Sequence, residues 1–414
     1  MTLANANPLF QGIFRPPSFN QTIYIKRGDD EDRLLRDART KIRRALRTAF
    51  SQFAKFVADQ DNRQLLLEDR SAEVAKSARG IESLDVRFLT QGSHAYGTLI
   101  RPGYVGQEID LDDGVYVPMP FLNGQPAFSS KGLFALIERA LSPLVEAEGW
   151  TFKRKRTCIR IILTGLGAHI DLPLYAVDQG EFTDLRDRFR NTFGTSFRKA
   201  DGLARLLQED QAGRSIRLSG NGLLLAHRDL DWYASDPQGL HDWFEGQVDI
   251  FGEVLRRLSR YGKAWRDVTL GKCDLSSLAL MVIACETLEE LGDAPSDNRD
   301  DEIVLAFANA LPSKIRQGGL VWREGEDPLD EDWSSAKREE YAAAADAFAE
   351  EVQAALNTTY HGKIVVDHLR SVFGERFPNT PDAVKFGASN QAATILSTAP
   401  SKQPSPDVGT STSG

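Results

Sequence analysis

Residues 90–120 read TQGSHAYGTLIRPGYVGQEIDLDDGVYVPMP, and every other reading of the chain is anchored here. The stretch follows "DVRFLT" (85–90), whose residues alternate as a strand does. It opens on a turn at Gly92-Ser93 and returns through a second alternating run at 108–117. Side chains on a strand point to opposite faces in turn. Asp110 and Asp112 therefore share one face, and Ile109 and Leu111 share the other. Two carboxylates so close shift each other's pKa unless a cation screens them. Mg²⁺, or Mn²⁺ with similar oxygen ligands, suits such a pair and commonly bridges one or two carboxylates to phosphates. The Gly-Ser turn fits the same ligand class. Glycine lets backbone N–H groups come close to a phosphate, and the Ser93 hydroxyl adds a donor.

Downstream, "TFKRKRTCIRIILTGLGAHIDLPLYAV" (151–177) reads as two strands joined by a turn at Gly165–Gly167. It sets Asp171 in an apolar strand, where an unpaired carboxylate is costly. Three roles are open to it: third metal ligand, base for an attacking hydroxyl, or ion-pair partner of Arg160 on the neighbouring strand. Upstream, Leu35, Ala38, Ile42, Leu46, Ala49, Phe53 and Phe56 recur at helical spacing, which predicts one amphipathic helix over 31–58. Its other face carries Arg36, Arg39, Arg43 and Arg47, read as a solvated basic face before a phosphate-binding stripe. A further helix is expected over 131–148, and residues 176–222 stay ambiguous.

Near Asp236 the character changes. "SDPQGL" offers an Asp N-cap with Pro at the first helical position. Leu240, Phe244, Val248, Phe251, Leu255 and Leu258 then hold a helical stripe, and 337–356 is an Ala/Glu-rich helix. Residues 387–414 are rich in Ser, Thr, Ala, Pro and Gly and read as a flexible tail. The expected architecture is α+β: an irregular segment 1–30, a mixed-sheet catalytic lobe 31–230, a helical lobe 231–386 and the tail.

Composition narrows the function. The 414 residues are 41% hydrophobic and 26% charged, ordinary for a globular protein with room for two or three domains. No apolar run approaches a bilayer span and no leader is evident, so a cytoplasmic protein is expected. Cys158, Cys273 and Cys285 are widely spaced and odd in number, which argues against a disulfide framework or a zinc site. A net charge of −9 gives no overall basic field of the kind a duplex nucleic-acid partner calls for, which leaves room only for a local basic groove. An EF-hand fails, because from Asp110 the fifth position is Gly114 and the twelfth is Phe121. No P-loop motif is present. A metal-dependent glycosyltransferase would explain the D-x-D but neither the Gly-Ser turn nor Asp171. Turn, paired carboxylates and third carboxylate together describe phosphoryl transfer assisted by two metal ions.

In this arrangement the chain resembles the polymerase-beta-type nucleotidyltransferases, and most of all the bacterial cGAS/DncV-like cyclic dinucleotide synthases. The similar segments are "TQGSHAYGTLIRP", "GQEIDLDDGVYVPMP", "TCIRI", "HIDLPLYAV", "WYASDP", "YGKAWRD" and "ALPSKIRQG", in one order over about 85–320. The resemblance implies that Asp110, Asp112 and Asp171 hold magnesium, and that Gln91, Gly92 and Ser93 meet the triphosphate. It implies that Lys263 and Ser277 reach donor phosphates from the helical lobe. Read from its own stripe, Lys263 is equally a snorkelling surface lysine, and Ser277 alone is an ordinary helix-start serine. Arg160 could steady phosphate or the acidic cluster. Tyr96 could stack on a base or simply pack. Ser235 and Asp236 could touch base or ribose, although the N-cap role already accounts for them. His94 and Gly97 depart from the family pattern near the base pocket. The resemblance further implies ATP and GTP as substrates, cyclic GMP-AMP as product, and an effector activated by it in anti-phage signalling; a linear oligonucleotide-forming enzyme of the same fold and a catalytically inactive nucleotide-binding signalling module are the alternative readings. It also allows a ubiquitin-conjugation-like ancillary protein acting through the tail at Gly414.

Overall fold

The computed structural model describes residues 2–12, 17–68, 70–77, 81–179, 223–292 and 299–386. The expected tail, 387–414 with Gly414, lies outside the described residues, as does most of the ambiguous stretch 176–222. The fold is α+β: a mixed sheet with flanking helices, joined to a helical lobe.

Seven strands build the sheet: β1 (Arg87–Gln91), β2 (Ile109–Met119), β3 (Thr151–Arg154), β4 (Cys158–Leu163), β5 (Ala168–Asp178), β6 (Leu223–His227) and β7 (Asp231–Ala234). The expected two strands in 151–177 are thus three, because "TFKR" pairs antiparallel with β4. β1 runs antiparallel to β2, and β2 runs parallel to β5. The far edge of β5 is shared lengthwise by β4 and β6.

One face of this sheet is covered by α1 (Asp30–Ser51) and α2 (Ser130–Ala147). Leu111, Val115 and Val117 of β2 and Ile170, Leu172 and Leu174 of β5 are buried there with Leu35, Ile42, Leu46, Phe134 and Ile137. Each such side chain contributes about 1.5–3 kcal/mol on burial. The helix expected over 31–58 ends instead at Ser51, and Phe53–Ala58 forms a separate short helix. The basic face of α1 is also not simply solvated. Arg43 is buried and pairs with the fully buried Asp113, its Nε donating to Oδ2 at 2.8 Å. Arg39 donates to Thr90, and the Arg43 and Arg47 guanidinium groups lie 5.4 and 5.1 Å from the centre of the Phe88 ring.

The helical lobe comprises α3 (Pro237–Phe251), α4 (Glu253–Thr269), α5 (Ser277–Leu291), α6 (Asp300–Gln317), α7 (Ser335–Asn357) and α8 (Gly362–Phe373). The stripe from Leu240 to Leu258 is divided between α3 and α4. Gly252 sits at φ +77°, where a side chain is strained, and turns the chain between them. Leu255, Leu258, Tyr261 and Trp265 of α4 are buried against α5, α6 and α7.

The first thirty residues are not irregular throughout. Short helices at Asn7–Gln11 and Phe19–Ile23 drive Phe10 and Phe19 into the helical lobe. Their ring centroids lie 5.3 and 5.6 Å from Tyr261. Ala4 and Asn5 pair antiparallel with Phe386 and Lys385. Among the described residues, no helix is long and apolar enough to cross a membrane.

Candidate active site

The sheet face away from α1 and α2 carries the acidic residues. Alternation along β2 turns Asp110 and Asp112 to this face, and the same alternation along β5 turns Asp171 and His169 to it. The parallel pairing sets Asp110 opposite His169 and Asp112 opposite Asp171. Asp110, His169 and Asp171 each bring one ligand atom to within 4.8 Å of the others. Asp112 lies outside that compact set, its carboxylate turned toward Gly92, where an added Cβ would collide with it. Burial, reinforced by Asp110 and Asp171, pushes the Asp112 carboxyl well above its ordinary range. Asp110 Oδ1 is a buried acceptor whose near neighbour is His169 Nε2, 3.0 Å away and poorly aligned for a hydrogen bond. Clustered carboxylates and an orphaned acceptor are what a divalent cation satisfies, so the residues present fit one.

Arg160 faces Asp171 directly across β4 and β5 and holds it with two bonds, Nε at 2.7 Å and Nη2 at 2.6 Å. The ion-pair role considered for Asp171 is therefore present, and its carboxylate still borders the cluster. Beside this pair opens a cleft of about 480 Å³ lined by Lys155, Arg156, Thr157, Cys158, Arg160, Asp171, His227 and Tyr233. Three of these are cationic, which suits an anionic occupant.

Gly92 starts a short helix, Gly92–Ala95, at φ +63°. A side chain at Gly92 would be strained and would meet Asp112, so the turn and the acidic strand can approach only through a glycine. Ser93 is met from the other lobe. Lys263 of α4 donates to Ser93 Oγ and to the Thr98 carbonyl, both at 2.9 Å. Lys263 is buried, which rules out the snorkelling role, and burial with Arg266 nearby pulls its ammonium down to about 8. Ser277 is the first residue of α5, and Arg266 donates to its hydroxyl at 3.1 Å. Lys263, Arg266 and Ser277 thus form a polar line running from the Gly-Ser turn into the helical lobe.

The remaining candidates lie around this centre. Gln91 binds a stacked tyrosine pair: its Nε2 donates to the Tyr116 hydroxyl at 2.7 Å, and the Tyr175 hydroxyl donates to its Oε1 at 3.3 Å. Tyr96 is buried and stacks on His241 with centroids 5.8 Å apart, so packing explains it. Arg256 of α4 donates to its carbonyl at 2.9 Å, a second tie between the lobes. Asp236 caps α3, accepting from the Gly239 N–H at 2.7 Å, and pairs with Arg323; Ser235 precedes it, half-buried. Neither is drawn into the acidic cluster. Sequence reasoning missed His169, Glu108 and the Arg43–Asp113 pair. The available signal was period two: His169 stands two residues before Asp171, and Glu108 two before Asp110.

Comparison with known proteins agrees with this geometry. A family model described as cyclic GMP-AMP synthase DncV-like, nucleotidyltransferase domain, matches residues 86–175. A second, the C-terminal domain of cyclic GMP-AMP synthase, matches 252–385. A cyclic GMP-AMP synthase of Vibrio cholerae is 35% identical over 240 residues, covering 57% of this chain and 54% of that protein. The chain thus aligns with about half the length of the Vibrio enzyme. A cyclic GMP-AMP synthase of Escherichia coli is 30% identical over 333 residues, 77% of this chain and 73% of that one. The Vibrio cholerae DncV structure in complex with the linear intermediate 5′ pppA(3′,5′)pG superposes with a TM-score of 0.74. Identity is 25%, over 94% of this chain and all of that one. Both lobes are matched in chain order, and the Escherichia coli relative is aligned over most of its length. The chain therefore belongs to the family of DncV-like nucleotidyltransferases.

Proposed function

We propose that the protein joins ATP and GTP into a cyclic dinucleotide, cyclic GMP-AMP, without a template. The observation that carries this reading is one juxtaposition. Asp110 and Asp112 stand in register with His169 and Asp171 on one sheet face, beside a glycine turn that Lys263 reaches from the opposite lobe. The family relationship supports it, as does the linear intermediate bound by the Vibrio neighbour. In this reading the acceptor nucleotide's ribose hydroxyl attacks the donor α-phosphorus. A new P–O bond forms, the bond to the β-phosphate oxygen breaks, and pyrophosphate leaves. In the linear product the other nucleotide's ribose hydroxyl then attacks the α-phosphorus of the retained triphosphate; the bond to the β-phosphate oxygen breaks, a second pyrophosphate leaves and the ring closes.

The chain's residues divide the work. Gly92 admits the triphosphate close to the backbone, and the Ser93 hydroxyl donates to it. Lys263 supplies positive charge to phosphate oxygens. Arg160 steadies Asp171 and lends charge to the basic cleft. Asp110, Asp112 and Asp171 receive the cation, proposed to be Mg²⁺. When bound, that ion lowers the pKa of the attacking hydroxyl and offsets charge on the triphosphate. We place Ser277 at the phosphates with Arg266, and Ser235 and Asp236 at the rim toward the base. By family resemblance, the product would activate an effector in anti-phage signalling, and an ancillary conjugation protein would act through the tail.

The test is incubation with four labelled nucleoside triphosphates and Mg²⁺, followed by phosphatase treatment and mass analysis. A phosphatase-resistant product with one adenosine and one guanosine is expected. A product carrying a removable terminal phosphate would replace ring formation with linear synthesis. No pyrophosphate release would defeat nucleotidyl transfer.

A further inference from the structure

His169 faces the acidic cluster, and the reading above gives it no task. It is 5% exposed and lies opposite Asp110 in the register of β2 and β5. Its Nδ1 is 2.8 Å from Glu108 Oε2. A ring N–H at Nδ1 donating to that carboxylate leaves Nε2 as a lone pair. Nε2 lies 3.0 Å from Asp110 Oδ1. That distance suits an ion pair when the ring is protonated; with the ring neutral, two buried acceptors face each other. Two buried acceptors facing each other repel unless a positive centre stands between them. Adjacent ligands on an octahedral ion with bonds of about 2.1 Å stand about 3.0 Å apart, the spacing found here. A carboxylate fixing one ring nitrogen so that the other meets a metal is a recurring arrangement in metal sites.

We propose that His169 is a nitrogen ligand to the cation held by Asp110 and Asp171, oriented by Glu108, and that it biases the site toward Mn²⁺ over Mg²⁺. The inference rests on the cation-binding reading proposed above and extends it. Mg²⁺ is a hard ion that prefers oxygen and keeps its waters, whereas a transition ion accepts imidazole readily. Binding at such a site displaces any proton on the coordinating nitrogen.

The test uses the full chain labelled with ¹⁵N-histidine, loaded with Mn²⁺ and a non-hydrolysable ATP analogue, and examined by pulsed electron paramagnetic resonance. The label separates histidine nitrogen from nitrogen of the nucleotide. Directly bound ¹⁵N is expected in the parent and absent in His169→Gln. Mn²⁺ affinity should fall about tenfold or more in that variant, with Mg²⁺ affinity changing less. Glu108→Gln keeps the imidazole but loosens its orientation. It should reduce Mn²⁺ preference several-fold, and it serves if His169→Gln fails to fold. Bound Mn²⁺ without histidine coupling in the parent would overturn the inference and leave nucleotidyl transfer standing. Coupling that survives in His169→Gln would overturn it too. Failure of the parent to bind Mn²⁺ or Mg²⁺ would overturn both.

Discussion

Asp112 and Asp113 are neighbours in sequence and opposites in purpose. Asp113 faces α1, is fully buried and is held by Arg43. Asp112 faces the cleft among other carboxylates, pushed well above its ordinary range by burial and by Asp110 and Asp171. One side of β2 satisfies its charge internally. The other leaves charge uncompensated until something cationic arrives. Stability is built on the first side and sacrificed on the second, which is the usual trade at a functional surface.

Substitutions on the two sides should therefore separate activity from stability. The largest effect is expected from Asp110→Ala with Asp112→Ala. Product formation should fall by about a thousandfold or more, while the thermal midpoint stays level or rises because like charges are removed. A clear loss of stability in that variant would erase the contrast. Next, Asp113→Ala should cost about 3–5 kcal/mol in urea unfolding, because Arg43 is left buried without its partner. Arg43→Met with Asp113→Leu should regain most of that loss; failure to do so would show that the pair matters beyond its charge balance.

Lys263 tests how far the cleft side extends into the second lobe. Its depressed pKa of about 8 means that the folded state holds this proton more weakly than the unfolded chain does. The penalty is fully present below pH 8 and is relieved as pH rises toward the unfolded value. Between pH 7 and pH 10 the parent should gain roughly 2 kcal/mol relative to Lys263→Met. Equal pH slopes in the two proteins would contradict the burial argument. Smallest, Ser93→Ala removes a hydroxyl that accepts from buried Lys263; it should lower the rate about tenfold and cost about 1 kcal/mol in urea unfolding.

Much of this was readable from period two. Alternation along 108–117 places Asp110 and Asp112 together, and "HIDLPLYAV" places Asp171 in a strand. The same rule applied to Asp113 puts it among Leu111 and Val115, a position that demands a cation. Arg43 lies on α1 at helical spacing, but finding it requires knowing that this helix covers this strand. Tertiary pairing of that kind is invisible to local pattern. The N-terminal segment escaped for another reason: two five-residue helices are too short to show a period, so Phe10 and Phe19 look like scattered aromatics. Lys263 illustrates the limit from the other direction, since an apolar stripe does not say which of its polar neighbours will be enclosed by a second lobe.

The strand pair Ala4–Asn5 with Phe386–Lys385 also bears on how the molecule is made. Phe10 cannot reach Tyr261 or Phe377 until those residues have left the ribosome. At ordinary rates of synthesis that is a wait of tens of seconds, during which the sheet can fold and the opening segment has nowhere to go. Residues 4–23 thus depend for their burial on partners made hundreds of residues later, Tyr261 through Phe386.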